Sequence, residues 1–275
     1  MLESSAPPAP RRSAEEIVGL LRERGPALVA LSGGVDSSAV ASLARLALGD
    51  RALAVTVTSS AVSSRELAAA GALARAVGLR HRVVRAEPLA DDRYRANGPD
   101  RCFWCRSVES RAFLEVGAAE GVAQYLDGIH LDDLGDDRPG VRAMEEAGFF
   151  HPLLWAGWTK SDVRRYAKAQ GLPNWDRPSN ACLASRVARG ETISAELLER
   201  IDRAEGVLLD RGFRRVRVRV RGDGATVEVD RSETGRLMEP SLRRELSLRL
   251  RDLGFACVTF DPQGHLAREA LPVLR

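Results

Sequence analysis

The sequence predicts an α/β protein: a doubly wound parallel sheet followed by a smaller C-terminal α+β domain. Three observations carry that expectation. Strand-like runs at Ala27–Leu31, Ala52–Thr58 and His81–Arg85 alternate with helical patterns through short turns. The first run stops at Ser32-Gly33-Gly34, and the apolar positions Val40, Leu43 and Leu46 of an amphipathic helix follow. Beyond Glu191 the periodicity changes, with Val216, Val218 and Val220 alternating strictly with Arg215, Arg217, Arg219 and Arg221. We expect residues 1–12 to be a disordered tail, 13–188 the sheet domain and 189–275 the smaller domain, serving substrate or oligomerisation.

Composition bounds the function classes. The 275 residues can bury a sizeable core, and 44% hydrophobic with 29% charged residues describe a globular chain. A formal net charge of +3 does not by itself argue for nucleic acid or membrane. No apolar run reaches a membrane-spanning length, and Met1–Arg12 has no apolar core for a signal peptide, so a cytoplasmic location is expected. Four cysteines are too few for a disulfide scaffold and are read for metal or catalysis.

In order along the chain, Ser13 with Glu16 forms a capping box for a helix to Arg22. The first strand, a helix to Leu48, the second strand and a helix over Glu66–Val77 follow, the last capped by Ser63 or Ser64. A helix leads from Cys102-Phe-Trp-Cys105 through Leu114, and Gln124–Gly128 is a fourth strand. His151–Leu154 reads as a short strand, and Thr159–Asp162 caps a helix ending before Gly171-Leu-Pro173. In the smaller domain Ser194 caps a helix through Val207, Phe213–Arg221 and Ala225–Val229 form a hairpin, and a helix from Ser241 to Leu253 precedes a strand at Ala256–Phe260. Cys257, between apolar neighbours, is expected in the core.

The chemistry concentrates at a few places. A strand, a Gly-rich turn and a helix N-terminus make an anion site: Gly33 and Gly34 admit a phosphate closely, and Ser32, Ser37 and Ser38 add hydroxyls. An ordinary turn capped by Asp36 or Ser37 is the plainer alternative. The carboxyl end of the second strand, at Thr58, is a candidate adenine platform. Cys102-x-x-Cys105 is half a zinc site, a redox pair or an accident of spacing. Five aspartates crowd the loop after Gly128; Asp132 and Asp133 suit Mg²⁺, Asp136 and Asp137 suit solvent, and Arg138-Pro-Gly is a candidate anion pin. Cys182 lies in a polar loop four residues from Arg186, where a guanidinium favours thiolate. The Arg face of the hairpin is solvated, binds RNA phosphate or clamps a phosphorylated small molecule; without interleaved aromatics, nucleic acid is not expected.

The string Ser32-Gly-Gly-Val-Asp-Ser37 resembles the pyrophosphate-binding loop of the PP-loop, or N-type, ATP pyrophosphatases. Taken with Cys102-x-x-Cys105, Asp132-Asp133…Arg138-Pro-Gly140, Pro178…Cys182-Leu-Ala-Ser-Arg186, Glu205 and Arg217-x-Arg219, the series is similar to the LarE family, over about Glu15 to Val258. The resemblance implies ATP split between its α and β phosphates with Mg²⁺, AMP carried on a carboxylate of a pyridinium dicarboxylate mononucleotide, and sulfur from sulfide or another donor displacing AMP. It implies that Cys182 handles the sulfur and that Glu205, Arg217 and Arg219 are metal or phosphate contacts; Asp36 and Arg186 complete the candidate catalytic residues. It further implies that Cys102, Cys105 and Cys182 hold a [4Fe–4S] cluster, as in three-cysteine members, where other members sacrifice one cysteine. A homo-oligomer is expected. His130 stands where the family pattern has an amide. A tRNA-thiolating PP-loop enzyme and a non-catalytic ATP-binding module are the rival readings.

Overall fold

In the computed structural model, residues 11–134, 138–178 and 181–264 are described. Expectations for Met1–Pro10, Asp136, Asp137, Ser179 and Asn180 lie outside them. The elements in chain order are α1 (Ala14–Arg24), β1 (Ala27–Ala30), α2 (Val35–Leu48), β2 (Ala52–Thr58), α3 (Ser64–Val77), β3 (Arg80–Arg85), α4 (Asp92–Arg95) and α5 (Arg101–Glu120). Then come β4 (Gln124–Leu126), α6 (Pro139–Glu146), α7 (Pro152–Trp155), α8 (Lys160–Ala169), α9 (Ala195–Leu209), β5 (Val216–Arg221), β6 (Gly224–Val229), α10 (Thr234–Leu237), α11 (Pro240–Asp252) and β7 (Cys257–Phe260). Contacts divide the chain into one unit of residues 1–59, 64–88 and 100–180 and another of 60–63, 89–99 and 181–275.

The first unit holds a parallel sheet in the order β3-β2-β1-β4. Its inner strands are buried on both faces, which explains their continuous apolar runs. Alternation splits their side chains between two cores. Ala27 and Val29 of β1 and Ala52 and Ala54 of β2 pack with Ile17, Leu43, Leu73 and Val163 from α1, α2, α3 and α8. Leu28, Leu53, Val55 and Val57 pack on the other face with Phe113, Val116 and Met144 from α5 and α6. The expected capping box of Ser13 with Glu16 is present, and the expected cap at Thr159–Asp162 is a second capping box.

The expected strand at His151–Leu154 is instead the single helical turn α7. Pro152 explains it: proline offers no N–H to a ladder and its fixed φ suits the first helical position. Only Phe150 joins the sheet, through a parallel bridge to Leu126.

In the second unit β5 and β6 are antiparallel and β7 pairs parallel with β6. Val216, Val218 and Val220 are buried with Leu198, Ile201 and Leu208 of α9 and Leu246 and Leu250 of α11. Cys257 is exposed rather than in the core. It begins the edge strand β7, whose period-two alternation buries Phe260 and turns Cys257 outward. Residues 89–99 belong to this unit: Asn97, with φ of 53°, donates from Nδ2 to the Ala188 carbonyl at 2.8 Å.

Candidate active site

In the first unit strand order reverses at β1, whose neighbours β2 and β4 take the chain to opposite sides. A ligand crevice in such a sheet lies beyond the carboxyl ends of these strands. Ser32–Gly34 stands there, and α2 starts at Val35 with Gly34 as its cap and no side-chain capping bond. The first N–H groups of a helix have no intrahelical partner, and the dipole makes that end positive. Gly33 has φ of +80°, and a Cβ on it would lie 3.1 Å from the Ala70 backbone nitrogen. Only glycine suits both demands.

The serines shape the loop. The Ser37 and Ser38 hydroxyls donate to the Gly34 carbonyl at 3.1 and 2.6 Å, and Ser32 Oγ lies 3.1 Å from Ser37 Oγ. Asn174 braces the turn, donating to the Gly33 carbonyl at 3.0 Å and to Ser38 Oγ at 2.7 Å. Asp36 receives both hydrogen bonds of Lys160 Nζ, at 2.7 and 2.5 Å. Neither Lys160 nor Asn174 was singled out for function from sequence. Lys160 is legible only as part of a helix cap, and Asn174 only as a turn residue after a proline.

The exit of β4 packs directly on this loop. A Cβ on Gly128 would come 2.7 Å from Ser37 N and 2.8 Å from the Asp36 carbonyl carbon. The acidic segment after it is occupied by protein donors. Asp132 accepts from the Lys160 N–H at 2.7 Å, capping α8. Asp133 pairs with Arg138 and accepts from the His130 N–H at 3.2 Å. His130 Nε2 stands 3.7 Å from Asp36, so the imidazole faces the loop's carboxylate. Thr58 ends β2, its carbonyl accepting from Ala86 N–H at 3.1 Å.

Cys102 and Cys105 lie one turn apart at the start of α5, both half-buried. Cys105 donates to Glu109 at 3.4 Å, and Arg101 Nη2 lies 3.7 Å from Cys102 Sγ. The adjoining Arg106 is held charged above its ordinary range, chiefly by Glu109 and, less strongly, by Cys105 and Asp127. All four cysteines are thiols. Their soft donor chemistry suits an iron–sulfur cluster. Among the described residues, however, no group of three or more His, Cys, Asp or Glu side chains is gathered to hold a metal ion.

In the second unit Cys182 precedes the 3-10 turn Leu183–Arg186. Arg186, 1% exposed, places Nη1 2.5 Å from the Ala181 carbonyl and 3.2 Å from that of Cys182. Its Nε and Nη2 form a fork on Glu205 at 2.8 and 3.1 Å, and Glu205 also accepts from Val218 N–H at 3.0 Å. Arg186 therefore anchors the backbone of the cysteine loop, and Glu205 ties that anchor to α9 and β5. On the Arg face, Arg219 pairs with Glu228. Burial, then Arg186 and Arg219, push the Arg217 pKa down to about 10. A guanidinium stays protonated in practice, so this marks a charge with little compensation, where an anion is favoured.

No helix among the described residues is long and apolar enough to cross a membrane. Residues 15–96 match the asparagine synthase family model. The chain is 37% identical over 239 residues to an uncharacterized protein of Synechocystis sp., covering 87% of this chain and 89% of that one. It is 32% identical over 225 residues to a tRNA(Ile)-lysidine synthase of Salinispora tropica, covering 73% of this chain but 64% of that protein. It is also 32% identical over 249 residues, 90% of each chain, to the pyridinium-3,5-bisthiocarboxylic acid mononucleotide synthase of Lactiplantibacillus plantarum. With this match over 90% of each chain and a Gly-rich loop at the sheet's switch point, the chain belongs to the LarE family of ATP-dependent sulfurtransferases, within the PP-loop superfamily.

Proposed function

We propose that this enzyme adenylylates a carboxylate of a pyridinium dicarboxylate mononucleotide, releases pyrophosphate and replaces AMP with sulfur. The product is a thiocarboxylate in nickel-pincer cofactor biosynthesis. The observation that carries the reading is the Ser32–Ser38 cradle at the switch point of a chain that matches, over 90% of its length, a synthase named for the bisthiocarboxylic product. The carboxylate oxygen attacks the α phosphorus and pyrophosphate leaves into the loop, held by the N–H groups of Gly33 and Gly34 and the start of α2. Lys160 supplies the nearby cation. Mg²⁺ would come with the ATP phosphates, Asp132 and Asp133 being its candidate carboxylates, and Asp36 holds Lys160 at the loop; Thr58 and Gly128 are assigned to the nucleoside and Arg138 to an anionic group. Sulfide from an exogenous donor, received near Cys182, then attacks the activated carbonyl carbon; the new C–S bond replaces the C–O bond to phosphate, AMP leaves and the thiocarboxylate is free. Arg186 and Glu205 fix the cysteine loop, and Arg217 and Arg219 hold the acceptor's phosphate.

By its resemblance to three-cysteine members, the chain would hold a [4Fe–4S] cluster on Cys102, Cys105 and Cys182, which when bound would supply an iron open to exogenous sulfide. The test is anaerobic purification with iron and sulfide analysis, followed by ATP, Mg²⁺ and the mononucleotide acceptor. Pyrophosphate release that depends on this acceptor, from protein holding about four irons per chain, is the expected result. Colourless protein whose Cys182 loses its sulfur after one turnover overturns the cluster and keeps the reaction. Release that depends on tRNA overturns the substrate; the tRNA(Ile)-lysidine synthase match, covering 64% of that protein, is the weaker support.

The acceptor assignment has its own expected outcome. Loss of a charge-assisted hydrogen bond is worth about 1.5–3 kcal/mol, so Arg217→Gln raises KM for the acceptor about tenfold or more. KM for ATP stays unchanged. A rise in the ATP KM alone assigns Arg217 to the other substrate.

A further inference from the structure

Asp127 and His151 form a buried pair that the reaction as described does not use. Asp127 is the last residue before Gly128, 7% exposed, and His151, 8% exposed, caps the start of α7. Asp127 Oδ1 accepts from the Ile129 N–H at 3.1 Å and meets His151 Nδ1 at 2.7 Å. A carboxylate oxygen accepts, so His151 Nδ1 is the donor and carries a proton. The outer atoms, Asp127 Oδ2 and His151 Nε2, are buried without a hydrogen-bond partner among the described residues. The two side chains are therefore joined by one hydrogen bond, with the Arg106 guanidinium acting on Asp127 only through its charge.

That bond sits where a small rotation matters. The Phe150 N–H donates to the Tyr125 carbonyl at 2.8 Å, so the segment bearing His151 is registered on β4. The Asp127 side chain closes the turn over Ile129, and Gly128 lies inside it, against Ser37 N and Asp36. A change in the Asp127–Gly128 peptide plane moves the floor of the pyrophosphate loop directly. Burial makes the bond costly to leave unmade and sensitive to the position of its donor.

We propose that His151 is a positioning residue for ATP cleavage, acting through Asp127 to fix the β4 exit against the pyrophosphate loop. The proposal rests on the reading that this loop binds ATP. An asparagine amide nitrogen reaches the place of Nδ1, whereas a glutamine nitrogen reaches that of Nε2. His151→Asn thus keeps the donor, and His151→Gln and His151→Leu lose it.

The experiment measures MgATP binding by calorimetry, steady-state pyrophosphate release and melting temperature for the full chain and the three variants. His151→Asn is expected to match wild type in ATP affinity and kcat. His151→Gln and His151→Leu are expected to weaken ATP binding and lower kcat/KM for ATP, each by roughly tenfold or more, with the acceptor KM unchanged. Folded Gln and Leu variants with wild-type ATP affinity overturn the proposal, as does His151→Asn impaired as strongly as His151→Leu. Gln and Leu variants that do not fold beside a native Asn variant also overturn it, because the contact is then one of folding. Wild-type protein that binds no ATP defeats the reading of the loop instead.

Discussion

Gly128→Ala is expected to lower ATP-dependent pyrophosphate release about 100-fold while the protein still folds. The added methyl would stand 2.7 Å from Ser37 N, 2.8 Å from the Asp36 carbonyl carbon and 2.9 Å from Asp36 Cβ. Two of these atoms are backbone, so no flexible side chain can turn aside. Neither partner can retreat freely, because β1 and β4 are locked in register, Val29 opposite Leu126. The relief must come from the loop between Gly34 and Ser37, the proposed pyrophosphate site. Overpacking of this kind costs about 1–3 kcal/mol of stability, tolerable for the unit but not for a site that depends on sub-ångström placement. Gly19→Ala is the control. Gly19 lies in α1 with nothing within 4 Å of its added Cβ, and the change should stabilise by about 0.5–1 kcal/mol. Wild-type pyrophosphate release from Gly128→Ala would show that Gly128 is not a wall of the site.

The sequence-legible parts of this molecule are those where local chemistry is self-sufficient. Both capping boxes, the buried strands β1 and β2 and the Val/Arg alternation of β5 follow from residues that decide their own conformation. The turn at Ser32–Gly34 belongs with them, since strand, glycines and helix are contiguous. Edge position and neighbour identity are not local. Cys257 reads as core from its apolar neighbours, but only the sheet order reveals that β7 is an edge. Pro152 gave a local warning against a strand at 151–154, which the short apolar run masked. Lys160 and Asn174 reach the loop from 124 and 136 residues away in sequence, and no spacing encodes those contacts. Arg186 is legible in the sequence only as a neighbour of Cys182; its guanidinium also holds carbonyls of that loop and Glu205, a partner that only the packing of α9 supplies.

That partnership makes Arg186→Ala the largest expected loss of stability, about 3–5 kcal/mol, read as a lowered denaturation midpoint. Arg186 and Glu205 are both almost fully buried, with side chains 0% and 6% exposed. Removing the guanidinium leaves a buried carboxylate that keeps the Val218 N–H, and it takes a hydrogen bond from each of two carbonyls in the cysteine loop. A buried ion pair owes much of its apparent strength to the cost of leaving one partner alone. Replacing both at once, Arg186→Met with Glu205→Leu, should therefore recover most of the stability. It should not recover sulfur transfer, since methionine cannot donate to the Ala181 and Cys182 carbonyls and the loop loses its tether. Pyrophosphate release should survive in the double variant, because the loop at Ser32–Ser38 is built from other residues. Stability restored with thiocarboxylate still absent would identify the pair as the device that holds Cys182 in place. Wild-type thiocarboxylate formation by the double variant would reduce the pair to a packing element.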